Sequence, residues 1–217
     1  SESTGADLRR ILGVPAERIH CIPYGRSPLF RRVEDAGALE TARRRYGLPD
    51  RFFLYVGNLE PRKNLPRLMR AFARASLPEP AQLVLAGSRG WKDAEVFREV
   101  RRLGLERRVV FAGFIPQEDL AAVYSACEAF VYPSLYEGFG LPVLEALACG
   151  AAVITSTVSS MPEVAGGAAR LADPASEEEL AAAIAELAAS PGRRAELGAL
   201  GVRRAQDFSW ERAAART

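Results

Sequence analysis

Two basic side chains stand together in Gly57-Asn58-Leu59-Glu60-Pro61-Arg62-Lys63-Asn64, just after an apolar run and just before a helical pattern. Adjacent cations at a strand-to-helix turn, beside the partial positive charge of a helix start, suit a diphosphate. Lys63 is one of only two lysines, among arginines scattered elsewhere. A solvated basic turn is the ordinary alternative for any Arg-Lys pair, and only the position of this pair argues against it.

The second cluster is Pro133-Ser134-Leu135-Tyr136-Glu137-Gly138-Phe139-Gly140-Leu141-Pro142, also directly after an apolar run. Gly138 and Gly140 bracket Phe139, and Pro142 sits where a helix begins. Small residues let the backbone approach a ligand closely, and the free N–H groups of a helix start point towards it. Glu137 lies in the loop. Glu145 lies one turn into the helix, about 6 Å further along at 1.5 Å per residue. Carboxylates accept hydrogen bonds from vicinal hydroxyls, so the two suit a ribose and a hexose. The alternative places Glu145 in a salt bridge and leaves Glu137 exposed. A Gly-x-Gly pair alone is weak evidence, and this one is not the dinucleotide fingerprint.

Two further segments follow apolar runs. Gly113-Phe114-Ile115-Pro116 offers an apolar shelf with backbone amides for a flat base, although core packing is the better reading of both Phe114 and Ile115. Gly87-Ser88-Arg89-Gly90-Trp91-Lys92 offers Lys92 as another cation. No Asp-x-Asp pattern occurs, so a tightly held divalent metal is not indicated.

These segments need a scaffold that brings them to one edge. Runs at 52–57, 82–86, 109–112, 129–132 and 152–155, with a shorter one at 169–171, carry almost no charge and predict strands covered on both faces. Helical patterns fill the gaps at 65–75, 93–103, 117–126, 141–148 and 176–189. Strand-helix repetition at this spacing predicts an α/β fold, a doubly wound parallel sheet of Rossmann type, with ligands outside the carboxyl ends of the strands. Ser176 with three following glutamates marks a helix start, and Ser190-Pro191-Gly192 marks its end. The stretch from 193 to 217 reads as one or two helices broken near Phe208-Ser209-Trp210. A short helix at 7–12, a strand at 18–22 and the turn-rich Pro23-Tyr24-Gly25-Arg26-Ser27-Pro28 precede the sheet.

Composition narrows the field. The formal net charge of +2, from 29 basic and 27 acidic residues, gives no global nucleic-acid signal. No apolar run approaches the roughly 20 residues that span a bilayer. Cys21, Cys127 and Cys149 are widely spaced without metal-ligand pairing, which points to reduced thiols and a cytoplasmic protein. His20, the only histidine, has a structural or surface role. The chain opens on Ser1-Glu2-Ser3-Thr4 without a methionine and reads as a segment of something longer.

Taken in order, Gly57 to Asn64, Gly113 to Pro116 and Glu137 to Ala146 resemble the carboxyl-terminal domain of the GT-B glycosyltransferases, specifically the retaining family 4. The last of these is that family's E-x7-E signature, and Cys149-Gly150, Ser159 to Val164 and Phe208 to Glu211 also fit. The resemblance implies that residues 36–207 form one of the two Rossmann-like domains of a GT-B fold. Residues 1–35 would be the interdomain linker, and 208–217 the start of a helix crossing back to an absent amino-terminal domain. Arg62 and Lys63 would neutralise the donor diphosphate. Glu137, with amides of Gly138, Phe139, Gly140 and Leu141, would hold the transferred sugar and its phosphate. Glu145 would hold the ribose, Ile115 would meet the base through its backbone, and Gly57 and Asn58 would border the donor. The implied reaction transfers a hexose, mannose by preference, to a saccharide or lipid-linked acceptor. GDP-mannose is the preferred donor and a UDP-sugar the second, with no metal or other cofactor and no nucleic-acid partner. Family members often dock at the inner face of the membrane through the missing domain. The chain alone would then bind donor without turning it over. A nucleotide-sugar epimerase of the same fold and a non-catalytic nucleotide-binding module are the alternatives.

Overall fold

The computed structural model describes residues 1–77, 81–90 and 93–217. Six strands form one parallel sheet: β1 (Phe52–Val56), β2 (Gln82–Ala86), β3 (Val109–Gly113), β4 (Ala129–Tyr132), β5 (Val153–Ser156) and β6 (Arg170–Ala172). Their order is β3-β2-β1-β4-β5-β6. The four inner strands are buried almost throughout, whereas edge strand β3 alternates with exposed positions and edge strand β6 is only partly buried. Helices on both faces exclude water from the inner strands, so those strands read as unbroken apolar runs.

The helices connecting them are α3 (Leu65–Arg74), α4 (Ala94–Arg102), α5 (Gln117–Ala126), α6 (Leu141–Ala148) and α7 (Met161–Ala165), and α8 (Glu177–Ala189) follows the last strand. Two more close the chain, α9 (Pro191–Ala205) and α10 (Trp210–Ala215), and two precede the sheet, α1 (Glu2–Leu12) and α2 (Ala36–Tyr46). Ser176 and Ser190 cap α8 and α9, accepting from Glu179 N–H at 3.1 Å and Arg193 N–H at 3.2 Å. Helix α6 lies against α9 at very short range. A Cβ built on Gly198 would stand 2.4 Å from the Gly150 carbonyl oxygen, so only glycine permits this approach. Among the described residues no helix is long and apolar enough to cross a membrane.

The direction of chain progression reverses between β1 and β4, which pair only through Phe53–Ala129 and Leu54–Phe130. In a doubly wound sheet this reversal point, at the carboxyl ends of the two neighbours, is where a ligand is expected. The two main clusters read from the sequence are the loops after β1 and β4.

Several expectations for the amino-terminal region and loops are corrected. Residues 18–22 form no strand; a 3₁₀ turn at Ala16–Arg18 leads into extended coil. That run has no sheet edge to pair with and packs on α1 instead, where a Cβ at Gly5 would meet Cys21 Sγ at 2.8 Å. Helix α1 starts at Glu2, earlier than expected, because the Ser1 hydroxyl caps it. Helix α2, with Ala42 as its one fully buried residue, is too polar to stand out as an amphipathic pattern. Phe114 is 70% exposed while Ile115 is 4% exposed, so only Ile115 joins the core. Trp91 and Lys92 lie outside the described residues. All three cysteines are free, Cys149 buried and Cys21 and Cys127 half-buried.

Candidate nucleotide-sugar site

Beyond β1 the chain passes exposed Asn58 and makes a 3₁₀ turn at Pro61–Lys63. Gly57 N–H donates to the Ala86 carbonyl at 2.9 Å, tying this loop to the end of β2. Asn64 ends the turn with a left-handed φ of 62° and starts α3, while its amide donates to the carbonyls of Pro133 at 3.1 Å and Pro174 at 2.7 Å. The turn after β1 is thereby anchored to the loop after β4. Leu135 N–H adds a bond to the Arg62 carbonyl at 2.8 Å, and the Ser134 hydroxyl lies 3.0 Å from the same oxygen. The first two sequence clusters thus become one site.

At its centre is Glu137. Its Oε1 is 2.6 Å from Lys63 Nζ and its Oε2 is 2.7 Å from Arg62 Nη1. Ser134 at 2.7 Å and the Tyr132 hydroxyl at 3.1 Å also donate to Oε1. Lys63 Nζ contacts the Tyr132 hydroxyl as well and sits 4.8 Å from that ring's centroid. Arg62 is shared with Glu60 at 3.1 Å. Lys63 and Glu137 are buried, whereas the Arg62 side chain is 47% exposed. The alternative of an exposed Glu137 therefore fails. Burial opposes ionisation of Glu137, but the bonds and charges of Lys63, Ser134 and Arg62 outweigh it and hold the carboxyl below its ordinary range. Burial lowers the Lys63 ammonium, an effect Glu137 only partly reverses. Burial also drives the Tyr132 hydroxyl far above its usual value, so it acts as a neutral donor.

The glycine loop follows. Gly140 takes φ 98°, a conformation glycine tolerates, and a Cβ there would meet Met161 Cε at 2.3 Å. Phe139 turns its ring inward against Tyr24 and Phe208, at centroid distances of 5.4 and 5.7 Å, so it serves the site through its backbone. Gly138 and Leu141 are exposed. The N–H groups of Gly138, Phe139, Gly140 and Leu141 find no acceptor among the described residues. Four unpaired donors at a helix start form a ready anion cradle.

Glu145 stands apart from this network. Its Oε2 accepts from the Tyr124 hydroxyl at 3.0 Å, and it makes no salt bridge among the described residues. Burial raises its pKa, with the Tyr124 bond opposing. An acceptor without a countercharge is suited to hydroxyl donors. The sequence reading gave no role to Tyr124, Tyr132, Ser134 or Asn64, although Ser134 and Asn64 lie within its two clusters. Tyr132 ends β4 and Ser134 follows it, the signal used for their neighbours, but Tyr124 lies within α5 with no local mark.

A doubly wound parallel sheet with a cation pair, a carboxylate and a glycine loop at its switch point defines a Rossmann-type domain, here the GT-B kind. Residues 40–203 match the family described as Glycosyl transferases group 1, and the chain belongs to that family. It is 35% identical to O-antigen chain mannosyltransferase B of Escherichia coli, covering 100% of this chain and 58% of that protein. The sucrose-phosphate synthase structure from Thermosynechococcus elongatus superposes with a TM-score of 0.85 at 34% identity, over 99% of this chain and 54% of that one. HepE of Anabaena, solved with UDP-glucose, gives 0.88 at 22% identity, over 100% of this chain and 60% of its own, a likeness of fold alone. The chain spans little more than half the length of these proteins.

Proposed function

We propose that the chain is the donor-binding half of a retaining mannosyltransferase that uses a nucleotide diphosphate sugar. The observation that carries this reading is the Arg62–Lys63 pair joined to four unsatisfied loop amides through Glu137. Cations and amides together match a diphosphate with a sugar beside it. Lys63 and Arg62 neutralise the departing phosphates. Glu137 holds the hexose while the amides of residues 138–141 hold its adjacent phosphate, Glu145 accepts from the ribose hydroxyls, and the Ile115 backbone meets the base. Gly57 and Asn58 border the donor.

An acceptor hydroxyl attacks the anomeric carbon on the face from which the diphosphate leaves. The carbon–oxygen bond to the phosphate breaks, and the acceptor's proton passes to the departing phosphate oxygen. A saccharide or lipid-linked acceptor, held largely by a preceding domain, supplies that hydroxyl. The similarity to an O-antigen mannosyltransferase supports GDP-mannose as donor, with a UDP-sugar second. Three free thiols fit a cytoplasmic enzyme, peripheral at the inner face of the membrane through its amino-terminal domain. No metal enters this scheme.

Calorimetric titration with GDP, UDP and ADP, with and without EDTA, tests the reading. Selective binding of one diphosphate, unchanged by EDTA, is expected. Failure to bind any of them would remove the donor site, and a large loss with EDTA would make it metal-dependent.

A further inference from the structure

Three consecutive carbonyls of the glycine loop are gripped by hydroxyls. Ser159 Oγ donates to the Glu137 carbonyl at 2.7 Å and accepts from the Glu137 N–H at 3.0 Å. Ser160 Oγ lies 2.9 Å from the Glu137 carbonyl and 2.8 Å from that of Phe139. From the far end of the chain, Ser1 and Thr4 place hydroxyls 2.7 and 3.1 Å from the Gly138 carbonyl. In a planar trans peptide each C=O points opposite to the N–H of the following residue. Holding the carbonyls of residues 137, 138 and 139 therefore fixes the directions of the N–H groups of Gly138, Phe139 and Gly140. Those are three of the four loop donors without an acceptor.

A second observation concerns strain. Among the described residues, Asn64 and Ser159 are the only non-glycine positions with positive φ, 62° and 58°. Strained backbone persists only where its surroundings over-determine it, and it clusters at ligand sites. Asn64 directly follows Lys63, and Ser159 clasps both polar groups of the Glu137 backbone. Ser160, at 0% exposure, has no access to solvent, so its hydroxyl is committed to the loop.

We infer that Ser159, Ser160 and Thr4 are positioning residues that aim the loop amides at the sugar and adjacent phosphate of the donor. The inference rests on the donor-binding reading above and extends it to residues that make no donor contact in that reading. Orientation of the Phe139 amide depends on Thr4 together with Ser1, and so on how α1 is seated.

The test compares GDP-mannose, which reaches the loop, with GMP, which lacks the sugar and second phosphate. On the whole chain, Ser160→Ala, and Thr4→Ala combined with Ser1→Ala, are expected to weaken GDP-mannose about tenfold and to leave GMP within about twofold of the parent. Thr4→Ser keeps the hydroxyl and should preserve the parent ratio. Ser159→Gly relieves the left-handed strain while removing the hydroxyl, so it remains informative should Ser160→Ala fold poorly. An unchanged GDP-mannose affinity in Ser159→Gly overturns the inference. Equal losses of both ligands in the Ala variants, accompanied by a lower Tm, reduce these residues to fold support and also overturn it. A parent that binds GMP but gains nothing from the sugar and second phosphate overturns it too. A parent that binds neither ligand defeats the donor-binding reading itself, and the inference falls with it.

Discussion

Glu137→Gln should tighten the binding of a bare nucleoside diphosphate while weakening the fold. Arg62 and Lys63 face two carboxylates, with Glu137 at 2.7 and 2.6 Å and Glu60 at 3.1 Å from Arg62, so the ligand-free cluster is neutral. A diphosphate must compete with Glu137 for both cations. Glutamine preserves the shape but leaves one positive charge in excess. At an effective dielectric of about 20, a unit charge about 6 Å from a phosphate contributes 332/(20 × 6), or about 3 kcal/mol. Because the Arg62 side chain is 47% exposed, solvent screening cuts this to about 1.5 kcal/mol, roughly a tenfold gain in affinity. The same substitution strips buried Lys63 of its countercharge, at a cost of about 3–5 kcal/mol in stability. The acid limb should change as well. The folded Glu137 pKa lies below the ordinary 4.5, so its stabilisation is complete above that value and disappears as pH falls through the folded one. In Glu137→Gln that limb should be gone. Calorimetry with GDP and thermal melts with and without GDP measure these effects together. An unchanged or weaker GDP affinity, in a variant that remains folded, would refute the competition between carboxylate and diphosphate.

Lys63→Ala should weaken GDP by about 2 kcal/mol, roughly 30-fold, while leaving guanosine unaffected; equal losses in the two titrations would place Lys63 away from the phosphates. Glu145→Ala should erase a preference of about tenfold for GDP over 2′-deoxy-GDP. Burial raises the Glu145 pKa above 4.5, so GDP affinity in the parent should climb with pH through that elevated value, and the variant should lack the rise. An undiminished ribose preference in the variant would remove Glu145 from the sugar. Gly198→Ala forces a Cβ to within 2.4 Å of the Gly150 carbonyl oxygen. It should cost about 2 kcal/mol and lower Tm by about 4–8 °C, and an unchanged melting curve would show that α6 and α9 separate freely.

The sheet was legible because helices bury both faces of its inner strands, leaving runs such as Phe52–Val56 and Gln82–Ala86 without a charge to confuse them. The edge-of-strand rule then brought out Arg62, Lys63, Glu137 and the glycine loop. It could not reveal that Glu137 binds both cations, because positions 62, 63 and 137 meet only through the pairing of β1 with β4. Apolar character misled at 18–22, where β propensity had no neighbouring strand to satisfy it, and at Phe114, which extends into solvent beside buried Ile115. Ser159 and Ser160 were visible only within the Ser159–Val164 segment that fits the family. Their role depends on a backbone angle and on hydroxyl reach, neither of which residue type encodes.

The strand order has one more consequence. Strands β3-β2-β1 come from one unbroken stretch of chain, residues 52–113, and β4-β5-β6 from another, residues 129–172. The two triplets meet at a ladder only two residues long, and the candidate site straddles it, with Arg62 and Lys63 on one side and Glu137 and the glycine loop on the other. A ligand gripping both banks therefore works as a rivet between two lobes of the fold. Its affinity adds directly to the energy that keeps them together. Were the backbone cut between α5 and β4, the donor would become the glue that reassembles the pieces.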